Sequence, residues 1–299
     1  AAIKPRQMNE LEEWQHCLEK DYGYDSLTLW DQQDVQLKMQ SERYLGGLFD
    51  ANSGHIHPLN YTLGLAQAAL DAGVTIYTDS AVTKVTRKSQ ANVCQTAQGQ
   101  IKAQQVLFCG NAYMGKLVPE ISNKIMPVGT YIGATEPLGE ARAKALINNN
   151  MAIADVNFVL DYFRLSADYR MLFGGRVSYS TLAPPNLMHS MRQRMLGVFP
   201  QLADVKMAYS WGGNVAITMN RGPHFGRVGQ DLYFAQGFSG HGIAATGLAG
   251  KLLAEAVAGQ AERFDLFKEI SHLPFPGGTL LKTPALMLAM TWYRLRDML

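Results

Sequence analysis

Three glycines fall within six residues at Gly237, Phe238, Ser239, Gly240, His241 and Gly242, between a short apolar run, Leu232 to Ala235, and a helical pattern marked by Leu248, Leu252 and Ala256. Glycine lets a backbone turn sharply and lets a flat molecule come close, because no Cβ stands in the way. The helix that follows aims its free amides and the positive end of its dipole at whatever sits over the turn. The junction therefore reads as a strand, a tight turn and a helix, serving either as a packing turn or as a cradle for a flat, electron-rich ligand. Gly240, Gly242 and Ala245 also match the G-x-G-x-x-A form of the dinucleotide fingerprint. That fingerprint opens a unit of about 30 residues with a second parallel strand, whereas here the helix stops at Gly259 and leads to FDLFKEI and the proline-rich HLPFPGG. No second strand is expected there. With no other such fingerprint in the chain, the primary diphosphate site of a dinucleotide fold is absent from these residues.

Upstream, apolar periodicity divides the chain into stretches of different character. Residues 8 to 20 have helical spacing. Leu59, Leu63, Ala66 and Leu70 recur as on a helix, Gly73 stands as a left-handed stop, and Val74 and Ile76 then alternate as in a strand. Val106 to Cys109 is a continuous apolar run of the kind buried in a parallel sheet. It ends at Gly110 and Asn111, the position where ligands dock in open α/β sheets. The middle third differs. Met126 to Thr135, Val159 to Ser166, Arg170 to Val177 and Met207 to Ile217 interleave apolar with polar or aromatic residues, as antiparallel strands do. One helix, with Leu187, Met191, Met195 and Val198 on a face, interrupts them before Pro200.

An antiparallel insert between two pieces of α/β pattern describes a mixed α/β (α+β) chain: a partial Rossmann-like nucleotide-binding domain with an inserted antiparallel substrate sheet. The expected divisions are a helix and strand lead-in of the substrate domain over 1–49, nucleotide-binding parts over 50–122 and 225–262, the antiparallel substrate domain over 123–224, and a C-terminal helical extension over 263–299. A length of 299 residues with 47% hydrophobic content suffices for such cores.

Several partner classes are disfavoured. With 27 basic and 25 acidic residues the net charge is +2, too weak a field to recruit nucleic acid or an anionic membrane in bulk. Cys17, Cys94 and Cys109 form no C-x-x-C pair, which argues against a disulfide scaffold or a zinc site and fits a reducing cytoplasm. His55 and His57 alternate around Ile56 without a carboxylate cluster, so a packed, hydrogen-bonded role is expected rather than metal binding. Residues 1 to 13 contain no apolar run of a secretory signal. Pro284 to Leu299 is too short and too charged to span a bilayer. It reads as a terminal helix packed on the protein, with a surface-lying membrane helix as the alternative. No oligomeric state follows.

The phrase YFAQGFSGHG, Tyr233 to Gly242, resembles the C-terminal flavin motif of the FAD-dependent amine and amino-acid oxidases, which include D-amino-acid oxidase, glycine oxidase and sarcosine oxidase. Segments spread over nearly the whole chain resemble the γ-glutamylputrescine oxidoreductase branch of that family: SGHIHPLN (Ser53 to Asn60), GNAY (Gly110 to Tyr113), LVPE (Leu117 to Glu120), ATEPLG (Ala134 to Gly139), LDYFRL (Leu160 to Leu165), GQAERFD (Gly259 to Asp265) and PFPGG (Pro274 to Gly278). The resemblance implies FAD, bound noncovalently, since Asn214 to Phe225 lacks the cysteine through which some relatives attach flavin. It implies that Val82 lies near the adenine, Gly110 and Asn111 near the ribose and diphosphate, and Gly237, Phe238, Ser239, Gly240, His241 and Gly242 beneath the isoalloxazine. A core role for Val82 is the alternative. Members of the family begin with a dinucleotide-binding βαβ unit, and this chain is expected to start after it, as a fragment or truncated product that binds FAD weakly or not at all.

On Val159 to Ser166 a two-residue period puts Tyr162 and Arg164 on one face and Phe163 on the other. Arg164 then reads as a clamp for a carboxylate such as a γ-glutamyl group, or as a solvated strand residue; Arg176 on the next strand is a second candidate. Met219, Asn220 and Arg221 precede the turn and could line the ring or the substrate pocket, although Arg221 reads equally as a surface residue. His241 is expected to act by hydrogen bonding or charge, because hydride loss from a neutral amine needs no base. His241, Tyr162 and Arg164 are thus the candidate catalytic residues. Ile243, Ala244 and Ala245 stand where sarcosine oxidases carry a carboxylate-binding lysine, and no lysine lies between Met151 and Ala203 for oxygen activation. The expected activity is oxidation of an amine, γ-glutamylputrescine or a related polyamine derivative, by hydride transfer to FAD, giving an imine and then an aldehyde. An amino-acid oxidase or dehydrogenase of the same family and a cofactor-free binding module are the alternatives.

Overall fold

The structure, a computed structural model, describes residues 1–88, 91–157, 159–178 and 186–276, without the side chains of 176–178. The helix expected over Pro284 to Leu299 lies outside the described residues. Two compact units emerge: Ala1–Ile56 with Gly129–Gly213, and His57–Val128 with the described residues from Asn214 onward.

The first unit opens with α1 (Pro5–Tyr22), longer at both ends than the periodicity predicts. Pro5 suits the first helical turn, and Gln7 Oε1 accepts from the N–H groups of Ile3 and Lys4 at 2.7 and 3.0 Å. There follow β1 (Leu27–Asp31), α2 (Gln32–Lys38), capped by Asp31, and β2 (Gly46–Asp50). β1 and β2 pair antiparallel, and Trp30 stacks on Phe49 with ring centroids 4.5 Å apart.

In the second unit α3 (Pro58–Asp71) forms as its spacing predicts, and Gly73 ends it at φ +86°. No α3 residue is buried. The strand expected at Val74 and Ile76 does not form: the segment runs outside any ladder, with those side chains 52% and 44% exposed. Alternation yields a strand only where a neighbour takes up its backbone groups, and none does among the described residues. An antiparallel meander of β3 (Lys84–Arg87), β4 (Asn92–Gln95) and β5 (Gln100–Ala103) follows. β6 (Val106–Phe108) leads to a single 3-10 turn, Asn111–Tyr113, and then to α4 (Pro119–Ser122).

β7 (Met126–Thr135) returns the chain to the first unit, which continues as α5 (Glu140–Leu146), β8 (Ile153–Ala154), β9 (Tyr162–Leu165), β10 (Met171–Ser178) and α6 (Leu187–Val198). With β11 (Met207–Ile217) these strands form one sheet in the order β11-β7-β10-β9-β8, and the pairings of β10 with β7 and β9 and of β8 with β9 are antiparallel. The predicted antiparallel insert is present. Its core centres on Phe163, stacked on Phe173 at 5.5 Å and met edge-on by Phe199 at 5.2 Å. Met191, Met195 and Val198 of α6 close this core, all buried as their spacing requires.

β11 re-enters the second unit, followed by β12 (His224–Val228), β13 (Leu232–Gln236), α7 (Gly242–Val257) and α8 (Glu262–Lys268). The sheet order is β12-β13-β6, with β13 and β6 parallel. All five residues of β13 are buried, whereas Leu107 of β6 is 42% exposed. The parallel pairing expected of Val106 to Cys109 is therefore real, but β6 is an edge strand and its burial is incomplete. No strand follows α7 among the described residues, as the broken fingerprint predicts.

Phe163 anchors the first unit. Phe163→Ala is expected to lower unfolding stability by about 3–5 kcal/mol in urea titrations of that unit's transition, and Phe163→Leu by distinctly less.

Candidate functional site

The turn between β13 and α7 is built from left-handed residues: Gly237 at φ +72°, Ser239 at +52° and Gly240 at +97°. The Gly237 N–H donates to Asn111 Oδ1 at 2.9 Å, joining the carboxyl ends of the parallel neighbours β6 and β13. Asn111 is itself left-handed at φ +47°. Ser239 is buried, its N–H donating to Ala216 O at 3.0 Å, while its Oγ accepts from Thr218 N at 3.3 Å and donates to Gly237 O at 3.2 Å. Thr218 Oγ1 donates in turn to Gly222 O at 2.8 Å. Phe238 packs inward against Phe225, with centroids 6.1 Å apart.

The glycines differ in what requires them. A Cβ on Gly237 would lie 2.5 Å from Thr218 Cγ2, so both packing and backbone demand glycine; a Cβ on Gly240 would meet nothing within 4 Å, so open space adjoins it. α7 begins with no side-chain cap, and among the described residues nothing accepts from the N–H groups of Gly242, Ile243 or Ala244. Open space beside an uncapped helix start fits a flat ligand that carries negative charge. His241 is exposed and its ring makes no hydrogen bond among the described residues.

The remaining sequence-derived residues are dispersed over the chain. Gly110 and Asn111 sit at the end of β6 beside the turn, and Val82, 38% exposed ahead of β3, is not a core valine. Asn220 is engaged by backbone groups: its Nδ2 donates to Ser271 O, beyond α8, at 2.9 Å and its Oδ1 accepts from Gly222 N of its own loop at 3.1 Å. Arg176 lies on β10, its side chain outside the description.

Tyr162 and Arg164 belong to the first unit and the turn to the second. On β9 the alternation holds: Phe163 and Leu165 are buried, and Tyr162 and Arg164 share the other face. The Tyr162 ring lies over Gly174, where a Cβ would collide with it. Burial pushes the Tyr162 hydroxyl above the ordinary tyrosine range, and a hydrogen bond with Thr130 partly offsets this. The Arg164 guanidinium donates from Nη1 to His55 Nδ1 at 3.1 Å and to Leu165 O at 3.3 Å, and from Nη2 to Ile56 O at 3.0 Å. Burial lowers its pKa, and no carboxylate pairs with it among the described residues. Arg194, by contrast, meets Asp161 at 2.6 Å.

The sequence reading missed a buried imidazole pair in the second unit. His224 and His272 face each other with centroids 4.4 Å apart, and Gln236 Nε2 lies 3.1 Å from His224 Nδ1. Burial, reinforced by His272 and Lys124, pushes the His224 pKa down to about 3.

Comparison with known proteins extends these observations. A family profile described as FAD dependent oxidoreductase (DAO) matches residues 1–256. The chain is 43% identical over 299 residues to γ-glutamylputrescine oxidoreductase of Escherichia coli (strain K12), covering 100% of this chain and 70% of that protein. It is 42% identical to the probable oxidoreductase OrdL of Haemophilus influenzae, covering 99% and 69%. Among solved structures, glycine oxidase from Geobacillus kaustophilus superposes with a TM-score of 0.75 at 18% identity, over 88% of this chain and 69% of that one.

Two outcomes are expected. Gly237→Ala combines a disfavoured backbone with overpacking and should cost about 2 kcal/mol or more in chemical denaturation, while Gly240→Ala should cost only the backbone part, about 1 kcal/mol. In the second case, an unfolded His224 binds a proton below the ordinary histidine value of 6.5 whereas the folded residue resists until about pH 3. The unfolded state thus holds more protons in that window, and stability falls as pH drops through it, by on the order of a few kcal/mol. His224→Gln should flatten that slope in denaturation measured at stepped pH.

Proposed function

Since the chain belongs to the DAO family of FAD-dependent oxidoreductases, we propose that it oxidises the primary amine of γ-glutamylputrescine or a related polyamine derivative. One observation carries the redox part of this reading: the turn from Gly237 to Gly242 offers open space at Gly240 beside uncapped amides of α7. These residues fit a flavin. The amides of Gly242, Ile243 and Ala244 favour negative charge on its ring by about 1 kcal/mol, up to about 2 in favourable geometry, and Gly110 and Asn111 stand at the strand end suited to ribose and diphosphate. FAD, when bound, supplies the acceptor for the hydride and its electron pair.

The protein's own share is to bind and orient. Among the described residues Arg164 has only neutral partners, which suits its guanidinium to a substrate carboxylate. Tyr162 lies two residues away on the same face of β9 and offers a ring and a hydroxyl to the carbon chain beyond that carboxylate. Loss of a hydride from the carbon that bears the amine and of a proton from its nitrogen would turn the C–N single bond into the C=N bond of an imine, and water would then convert the imine to an aldehyde and ammonia. Ile243, Ala244 and Ala245 provide no cation after the turn, which disfavours small α-amino acids that need one there. The absence of a cysteine between Asn214 and Phe225 supports a noncovalent flavin, and the free thiols of Cys17, Cys94 and Cys109 support action in a reducing cytoplasm.

The test is anaerobic mixing of protein incubated with excess FAD. γ-Glutamylputrescine is expected to bleach the flavin absorbance, and glycine, sarcosine and D-alanine are not; bleaching by an amino acid but not by the amine overturns the assignment. Arg164→Met is expected to raise KM for γ-glutamylputrescine by about 10- to 100-fold, the loss of a charge-assisted contact, and to leave putrescine, which has no carboxylate, unaffected.

A further inference from the structure

We propose that His55 is a positioning residue for substrate selection: fixed in one tautomer, it holds Arg164 so that the guanidinium presents its open donors to a carboxylate. This rests on the reading of Arg164 as the carboxylate anchor. His55 Nε2 lies 2.7 Å from the carbonyl oxygen of Asn150. A carbonyl only accepts, so Nε2 carries the hydrogen, and a neutral imidazole then has a bare lone pair at Nδ1. That lone pair faces Arg164 Nη1 at 3.1 Å. The chain Arg164, His55, Asn150 carbonyl therefore has one self-consistent direction, each group donating to the next.

The hydrogens of the guanidinium show what this arrangement leaves open. Of its five N–H donors, two on Nη1 meet His55 Nδ1 and Leu165 O, and one on Nη2 meets Ile56 O. Among the described residues the Nε hydrogen and one Nη2 hydrogen have no partner, and these two nitrogens are the pair that can receive a carboxylate through two bonds. Two of the three contacts come from consecutive residues, His55 and Ile56, just beyond the end of β2, so this segment sets the rotation of the guanidinium. Every partner among the described residues is neutral, so none of them spends the charge. His55 would act through Arg164 without touching the substrate.

Three variants separate its two hydrogen bonds. His55→Asn can keep an acceptor near the Nδ1 position and loses the link to Asn150; His55→Gln can keep a donor near the Nε2 position and loses the acceptor; His55→Ala loses both. With FAD-loaded protein, His55→Gln and His55→Ala are expected to raise KM for γ-glutamylputrescine about tenfold, with kcat within about twofold and putrescine unaffected, and His55→Asn to restore most of the loss. An equal effect on both substrates, or a His55→Gln protein indistinguishable from the parent, overturns the proposal. A second readout needs neither flavin nor substrate: the side-chain nitrogen resonances of Arg164 should shift or broaden in His55→Gln and stay near the parent's in His55→Asn. Unmoved resonances in His55→Gln overturn the His55 role even where Arg164→Met still changes the KM ratio. A KM ratio unmoved by Arg164→Met overturns instead the anchor reading beneath it, and with it the selection role of His55.

Discussion

A single side-chain to backbone hydrogen bond organises the second unit: Asn111 Oδ1 accepting from the N–H of Gly237. β6 and β13 are parallel neighbours, so their carboxyl ends arrive side by side with backbone groups that no ladder continues. Asn111 closes that gap, and it does so from a left-handed conformation that disfavours a side chain by about 1 kcal/mol. Ser239 carries a similar strain and is held by Ala216 O, Thr218 N and Gly237 O. Asn111 and Ser239 are two of the left-handed non-glycine residues, and each is held by hydrogen bonds, the condition under which such conformations persist. The consequence is a helix start held in place by the sheet rather than by its own cap, with its first amides left for a ligand.

The first unit separates a packed face of β9 from the face that carries the proposed substrate-binding residues. Phe163 and Leu165 enter a core of stacked and edge-on aromatic rings, while Tyr162 and Arg164 stand on the opposite face, one residue apart from that core in sequence. A period of two makes this division strict, because a shift of one residue would exchange the faces. Gly174 on the paired strand β10 completes the arrangement, since the Tyr162 ring occupies the volume that any other side chain would fill.

Much of this was legible in the sequence, and the exceptions have physical causes. β7 and β11 are long runs in which apolar residues are interleaved with polar or aromatic ones, and α6 shows a buried face of Met191, Met195 and Val198, so local pattern sufficed to find them, although β11 buries only Ala216. The β3-β4-β5 meander escaped notice because KVTR, NVCQ and QIKA are four-residue strands with too few apolar positions to establish a period. Val74 and Ile76 failed in the opposite way: the alternation was present, but a strand also needs a partner. The glycine turn was found because its residue types are unusual, whereas the buried His224 and His272 pair joins residues 48 positions apart through packing that no local pattern encodes. His55 was expected to be packed and hydrogen-bonded, as it is, yet its partner lies 109 residues away and only the fold brings the two together.

The electrostatics of Arg164 show why a site of this kind discriminates. Arg142, Arg170, Arg194 and Arg227 each meet an aspartate, and each such pair compensates its own desolvation. Among the described residues Arg164 meets neutral acceptors alone, and partial burial depresses its pKa. The fold has thus removed part of the cation's hydration before any anion arrives. In the proposed role, a carboxylate that binds there would restore the missing charge, whereas an amine lacking one would leave the cation as it was. Selectivity would then follow from an interaction the protein withholds from itself, with His55, Ile56 and Leu165 setting the orientation of the guanidinium.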